Sequence, residues 1–269
     1  MKEGDIRAAI FISGSGTTAE AVIRACQEGM IERIQPIAVV SSRPDAKGLV
    51  KAEKLGVPTH VVQRKHYETP EDFGDALLKL LKNLDVDFIS QNGWLVFTPC
   101  NVVSEYPGRI INQHPGPLDP GGGIGKNDRG YDFGGRGMYG ARVICSRLAY
   151  SWVMQDDYWT EATVHFVTED DEYDQGDIIR VGKYLLPAPA DPVTIAELWK
   201  NPDELMETTM DVQQKLLPLE HENVVETLKM FATSDTVSGW RRKERLIPIK
   251  NKPVVEQAKD LATKLFPHG

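Results

Sequence analysis

The sequence predicts an α/β fold, a doubly wound and mostly parallel Rossmann-like sheet with a helical C-terminal extension. Three observations carry that expectation. Short apolar runs ending at glycine turns alternate with stretches of helical periodicity, the pattern of parallel strands joined by crossover helices. The first such turn, Ser13-Gly14-Ser15-Gly16-Thr17-Thr18, leads directly from a strand into a helix. From residue 192 onward the pattern is helical and then irregular.

Ile6–Ile12 reads as a short buried strand, apolar on both faces. The glycine turn follows, and residues 19–27 have helical periodicity. A strand, a Gly-rich turn and a helix together aim free backbone N–H groups and a helix dipole at an anion, so a phosphate site is expected here. A plain tight turn between strand and helix favours Gly and Ser as well. Ile34–Ser41 is the second strand, residues 49–55 a helix stopped by Gly56 and Pro58, and residues 59–63 a third strand. Residues 71–84 place Phe73, Leu77, Leu80, Leu81 and Leu84 at helical spacing, and residues 87–91 form a fourth strand closed by Asn92-Gly93.

Ile110-Ile111-Asn112-Gln113-His114-Pro115-Gly116-Pro117-Leu118-Asp119-Pro120 is the stretch around which the chain is organised. In an extended segment the side-chain period is two, so Asn112 and His114 project from one face. An amide that donates hydrogen bonds then stands beside an imidazole that exchanges protons near neutral pH. The prolines beyond fix the backbone. In a doubly wound sheet ligands bind at the carboxyl ends of the strands, which would bring residues 14–18, 93–97 and 112–114 to one edge.

Residues 121–137 are dominated by glycine and charge and show no period, so they read as a mobile loop, either a lid or an insertion without a catalytic part. Residues 139–153 read as a partly buried helix and residues 161–167 as a strand. His165, alternating with Val164 and Phe166, reads as a satisfied sheet residue rather than a ligand. An acidic loop follows, in which Asp174 stands apart because the chain must turn back to the sheet just after it, at residues 177–181. Residues 192–231 are expected to be helical, with breaks near Pro202 and Pro218, and residues 232–269 to form a tail with one amphipathic helix at 254–265.

With 269 residues, 41% of them hydrophobic, the chain can bury a sizeable core. A net charge of −8 without a basic segment argues against a nucleic-acid binder. No run of about 18 apolar residues suggests a membrane span, and the first strand begins without a leader before it, so a cytoplasmic location is expected. Cys26, Cys100 and Cys145 lie far apart without a Cys-x-x-Cys, which suits a reducing compartment and offers neither a disulfide frame nor a zinc site. Gly14-x-Gly16-x-x-Ala19 also fits a dinucleotide fingerprint. Ser41-Ser42-Arg43 stands where NAD would want an acid, which leaves an NADP-dependent reductase open through Arg43.

Four segments in this order resemble the folate-dependent formyltransferases, the branch that formylates glycinamide ribonucleotide standing closest. They are the loop at residues 12–17, the stretch from Ser41 through Leu49 with residues 56–60, the Asn112-Gln113-His114-Pro115 motif, and residues 163–168 with Asp174-Gln175-Gly176-Asp177. The resemblance spans roughly residues 6–185 and implies a formyltransferase-like catalytic domain over residues 1–231. It implies that Asn112, His114 and Asp174 are catalytic, and that Gly14, Ser15, Gly16, Thr17 and Thr18 hold the substrate phosphate. Leu95, Val96, Phe97 and Val167 would line the folate site. The donor would be 10-formyltetrahydrofolate, no metal would be needed, and the partners would be small molecules. A homodimer is compatible with the sequence. Chemistry agrees with the assignment, because formyl transfer from N10 to an amine develops an oxyanion that Asn112 and a protonated His114 can bind, each such donor being worth about 10²–10³ in rate. Asp174 would favour the imidazolium and orient a proton-carrying water. Water in place of the amine would make the same residues a 10-formyltetrahydrofolate hydrolase, and a binding protein without turnover is a further alternative. Thr18 replaces a usual Asn, Gly116 through Pro120 replaces Ser-Leu-Leu-Pro, and the segment after Pro120 is longer and richer in Gly than is usual.

Overall fold

The computed structural model describes residues 5–123, 132–169, 173–234 and 236–269 of the chain. Seven strands form one sheet in the order β3-β2-β1-β4-β5-β6-β7: β1 Ile6–Ile12, β2 Ile34–Ser41, β3 Thr59–Val61, β4 Phe88–Gln91, β5 Ile110–His114, β6 Trp159–Phe166 and β7 Ile178–Leu185. The pairings of β1 with β2 and β4, of β2 with β3 and of β4 with β5 are parallel, as the alternation of apolar runs and helical stretches predicts.

The helices are α1 Thr17–Gln27, α2 Lys47–Lys54, α3 Pro70–Asn83, α4 Cys100–Glu105, α5 Ala141–Met154, α6 Ile195–Lys200, α7 Asp203–Thr233 and α8 Lys252–Leu265. Helix α3 begins where its chemistry dictates, with a reciprocal capping box between Thr69 and Asp72 and a proline in the first turn. Helix α4 was not foreseen, being too short to show a period. The third strand ends at Val61, two residues sooner than expected.

The chain divides into two compact units. The first comprises Met1–Gln113, Val164–Asp171 and His221–Gly239. Its core gathers Phe11, Phe73, Leu77, Ile89, Trp94 and Val102, with the Phe11 and Trp94 rings 4.8 Å apart. The second comprises His114–Thr163, Glu172–Glu220 and Trp240–Gly269. Here α5 is buried on almost every face, more completely than a partly buried helix would be, and α8 lies against it with Val255, Ala258, Leu261 and Ala262 fully buried. The helix expected in the tail is thus a core element of this unit.

Two expectations need correction. Helix α7 runs through Pro218 without a break. A proline inside a helix costs about 3 kcal/mol, but Val212, Leu216, Val224 and Leu228 are each at most 1% exposed, and their burial offsets that cost. The end of the Gly-rich segment is also not a mobile loop. Phe133 is fully buried, and the Asp132 carboxylate accepts the Asp119 N–H at 2.8 Å and the Gly134 N–H at 2.9 Å. One aromatic side chain and one carboxylate override the composition. Residues 124–131 of that segment and acidic residues 170–172 lie outside the described residues. Among the described residues no helix is long and apolar enough to cross a membrane.

Candidate active site

Register in the first unit sets the strand ends side by side, with Phe11 opposite Gln91 and Gln91 opposite Asn112. The loop at residues 14–18, the turn at Asn92-Gly93 and the Asn112 side of β5 therefore share the carboxyl edge of the parallel strands, as the sequence implied. Gly16 opens α1 in the left-handed conformation at φ 64°. A Cβ there would come within 2.5 Å of Gly48 Cα, and the Gly48 N–H donates to Gly14 O at 3.1 Å. Two glycines therefore let α1 and α2 start in contact. The first turn of a helix has N–H groups with no intrahelical partner, so this loop has the makings of an anion site. Gly14 and Ser15 are exposed, Thr17 is half-buried, and Gly16 and Thr18 are buried. Arg43, on which the NADP reading turns, pairs with Asp45 at 2.8 Å.

Leu95 is exposed, while Val96, Phe97 and Val167 are half-buried, and Val96 and Val167 pack on the aromatic core below. The Leu95 N–H donates to Ser13 Oγ at 2.9 Å, and that oxygen lies 2.6 Å from Ser42 Oγ. The Ser13 and Ser42 hydroxyls thus tie the loop after β4 to the ends of β1 and β2.

Asn112 does not stand alone in this unit. Its Nδ2 lies 3.0 Å from Nε2 of His165 on β6, whose Nδ1 is 2.8 Å from Phe166 O. A carbonyl only accepts, so Nδ1 carries hydrogen there, and in the neutral ring Nε2 accepts from the Asn112 amide. His165 is a satisfied sheet residue as read from the sequence, and the group that it satisfies is Asn112.

In the second unit His114, 3% exposed, is bracketed by oxygen atoms. Its Nε2 is 3.2 Å from Phe133 O and its Nδ1 is 3.7 Å from Asp174 Oδ2. The Asp174 side chain is 9% exposed, and Oδ2 accepts the Gly135 N–H at 2.9 Å. The acid loop holds Asp174 at φ 61°, a strained setting that Asp tolerates better than most residues and that concentrates at functional sites. Gly116, one of the departures from the resemblance, has a local cause: a Cβ there would lie 2.3 Å from Val143 Cγ1 on α5.

The structure therefore joins His114 to Asp174 and sets Asn112 two residues from His114 on one strand. Phe133 and Gly135 are not legible in the sequence as partners of this pair, and His165, read there as a sheet residue, is not legible as the partner of Asn112. The first two stand in a stretch without periodicity, and only the alternation along β6 gave a hint of His165.

Residues 6–121 match the formyl transferase family. The chain is 28% identical over 172 residues to the chloroplastic phosphoribosylglycinamide formyltransferase of Arabidopsis thaliana, covering 64% of this chain and 52% of that protein. It thus spans about half the length of that relative. It is 30% identical over 175 residues to the phosphoribosylglycinamide formyltransferase of Haemophilus influenzae, covering 65% of this chain and 71% of that protein. Among solved structures, glycinamide ribonucleotide transformylase 1 of Symbiobacterium toebii superposes with a TM-score of 0.66 at 26% identity, over 91% of this chain and 96% of that one. Shared sequence and shared fold thus agree, and the chain belongs to the formyl transferase family.

Proposed function

We propose that this chain transfers the formyl group of 10-formyltetrahydrofolate to a primary amine, that of glycinamide ribonucleotide, as a step of purine biosynthesis. The observation that carries the reading is the His114 ring, buried with an oxygen acceptor at each nitrogen: Phe133 O at 3.2 Å and Asp174 Oδ2 at 3.7 Å. A ring so placed is held best when both nitrogens carry hydrogen, the form that can donate to an oxygen gaining charge.

The bound folate supplies the formyl group, and Leu95, Val96, Phe97 and Val167 would hold its flat ring. Their fit rests on apolar side chains left exposed or half-buried at the ligand-binding edge of the sheet. The loop of Gly14, Ser15, Gly16, Thr17 and Thr18 would hold the acceptor's phosphate with the first N–H groups of α1. Asn112, its amide fixed by His165, donates its remaining N–H to the formyl oxygen. His114 Nε2–H would give up Phe133 O to donate to an oxygen gaining charge. Asp174 would balance the imidazolium and orient a water that carries the proton lost by the amine to N10 of the folate as the bond from N10 to the formyl carbon breaks.

Absorbance of 10-formyltetrahydrofolate, followed with and without glycinamide ribonucleotide, tests the reading. Loss of the formyl group should require the amine. Equal rates in both conditions would make the chain a hydrolase and end the transferase assignment. A relative known by name as a phosphoribosylglycinamide formyltransferase supports the acceptor chosen here.

A further inference from the structure

The motifs that carry the family resemblance lie within roughly residues 6–185, yet the segment from Trp240 to Gly269 belongs to the same compact unit as His114 and Asp174. Trp240 bridges Ile178, four residues after Asp174, and the Arg241 Nε donates to Asp177 Oδ1 at 2.6 Å. Arg242 donates to Leu118 O at 2.7 Å and pairs with the buried Glu161, and the Leu246 N–H donates to Asp119 Oδ2 at 2.8 Å. Last comes Lys259 on α8, whose Nζ donates to Gly134 O at 2.9 Å. Gly134 joins the two residues that touch the pair, Phe133 through its carbonyl to His114 and Gly135 through its N–H to Asp174.

An ammonium in such a place is unusual. Burial pushes the Lys259 pKa down, against the carboxylates of Asp132, Asp174 and Glu256, which favour the charged form. Desolvating a lysine costs free energy that a methionine of similar length would not incur. The backbone of α8 around it is held by Val255, Ala258, Leu261 and Ala262, all fully buried.

We propose that Lys259 is a positioning residue: from the C-terminal helix it fixes the backbone at residues 133–135 and sets a positive charge against Asp132 and Asp174, so that His114 and Asp174 stay in register. This rests on the reading of that pair as the reacting groups. The C-terminal segment is then a wall of the active site, and its ammonium takes no direct part in the chemistry.

The test compares Lys259→Met and Lys259→Arg in the full chain by kcat, by KM for both substrates, by thermal unfolding and by the ¹⁵N resonances of the His114 ring. A misplacement of the order of 1 Å costs about 10²-fold in rate. Lys259→Met is therefore expected to lose about 10–100-fold in kcat with both KM values within about twofold and Tm unchanged or higher. Its His114 resonances should shift, and Lys259→Arg should recover most of the activity and the native resonances. Unchanged kcat and ring resonances in a folded Lys259→Met would overturn the proposal, as would an Arg variant no better than Met. Lys259→Gln keeps a donor without the charge and decides the matter on the same resonances should Met fail to fold. His114→Ala separates the two layers. If that variant turns over normally, the catalytic reading falls, while a resonance shift in Lys259→Met would still uphold the brace.

Discussion

Gly134→Ala is the most direct perturbation of the site. A Cβ at this position would lie 2.6 Å from Leu118 Cδ2 and 3.0 Å from both Cβ and Oδ2 of Asp174. Ordinary contact begins near 3.4 Å, so about 0.8 Å must be found on one side and about 0.4 Å on the other. Leu118 is fully buried in close-packed surroundings, so part of the displacement falls on Asp174. The oxygen pushed is the one that accepts the Gly135 N–H and faces His114 Nδ1. Overpacking of this kind costs about 1–3 kcal/mol of stability. In a protein of this size that lowers Tm by roughly 2–4 °C per kcal/mol. The catalytic cost is larger, because an error approaching 1 Å in a reacting group is worth up to about 10²-fold. Steady-state formyl transfer, measured well below Tm, should show kcat reduced about 10–100-fold with a KM for the donor close to native. A Gly134→Ala protein with native kcat would refute the reasoning, since the backbone at residue 134 would then not set the position of the carboxylate.

Two further substitutions probe other parts of the molecule. Gly16→Ala puts a Cβ on a residue at φ 64° and 2.5 Å from Gly48 Cα, an atom of the backbone. The left-handed conformation alone costs about 1–2 kcal/mol, and the clash must part α1 from α2 where the phosphate loop is formed. The KM for the phosphorylated acceptor should rise about tenfold or more while that for the folate changes little, and an unchanged acceptor KM in steady-state kinetics would detach the loop from phosphate binding. Asp119→Asn tests buried charge. Burial raises the Asp119 pKa, opposed by the Leu246 N–H and reinforced by Asp132. A carboxyl whose folded pKa lies above its unfolded one contributes full stability when protonated and loses it as pH rises through the folded value. The amide keeps an oxygen for Leu246 and never ionises, so the Tm of Asp119→Asn relative to the native chain should climb as pH rises above about 4, the usual carboxylate range. A flat or falling difference in calorimetry would contradict the sign.

The sequence by itself determined whatever depends on near neighbours. Apolar runs of strand length, glycines at their ends and helical spacing in residues 71–84 are local properties, so β1, β2, β4, β5 and α3 were legible in the chain. So were Asn112 and His114, because a period of two needs no partner to place two side chains on one face. The tertiary structure alone decided what lies far off along the chain. His114 meets Phe133 across 19 residues, Asn112 meets His165 across 53, and Lys259 meets Gly134 across 125. None of these pairs leaves a mark in composition. Phe133 was hidden among glycines, where one buried ring outweighs the flexibility of its neighbours, and Pro218 was read by its local preference, which the burial of the helix on either side of it overrules. Backbone propensity and periodicity act over a few residues at about 1 kcal/mol or less each. Burial and charge pairing act through space with larger stakes, and they settle which distant residues stand around the reacting groups.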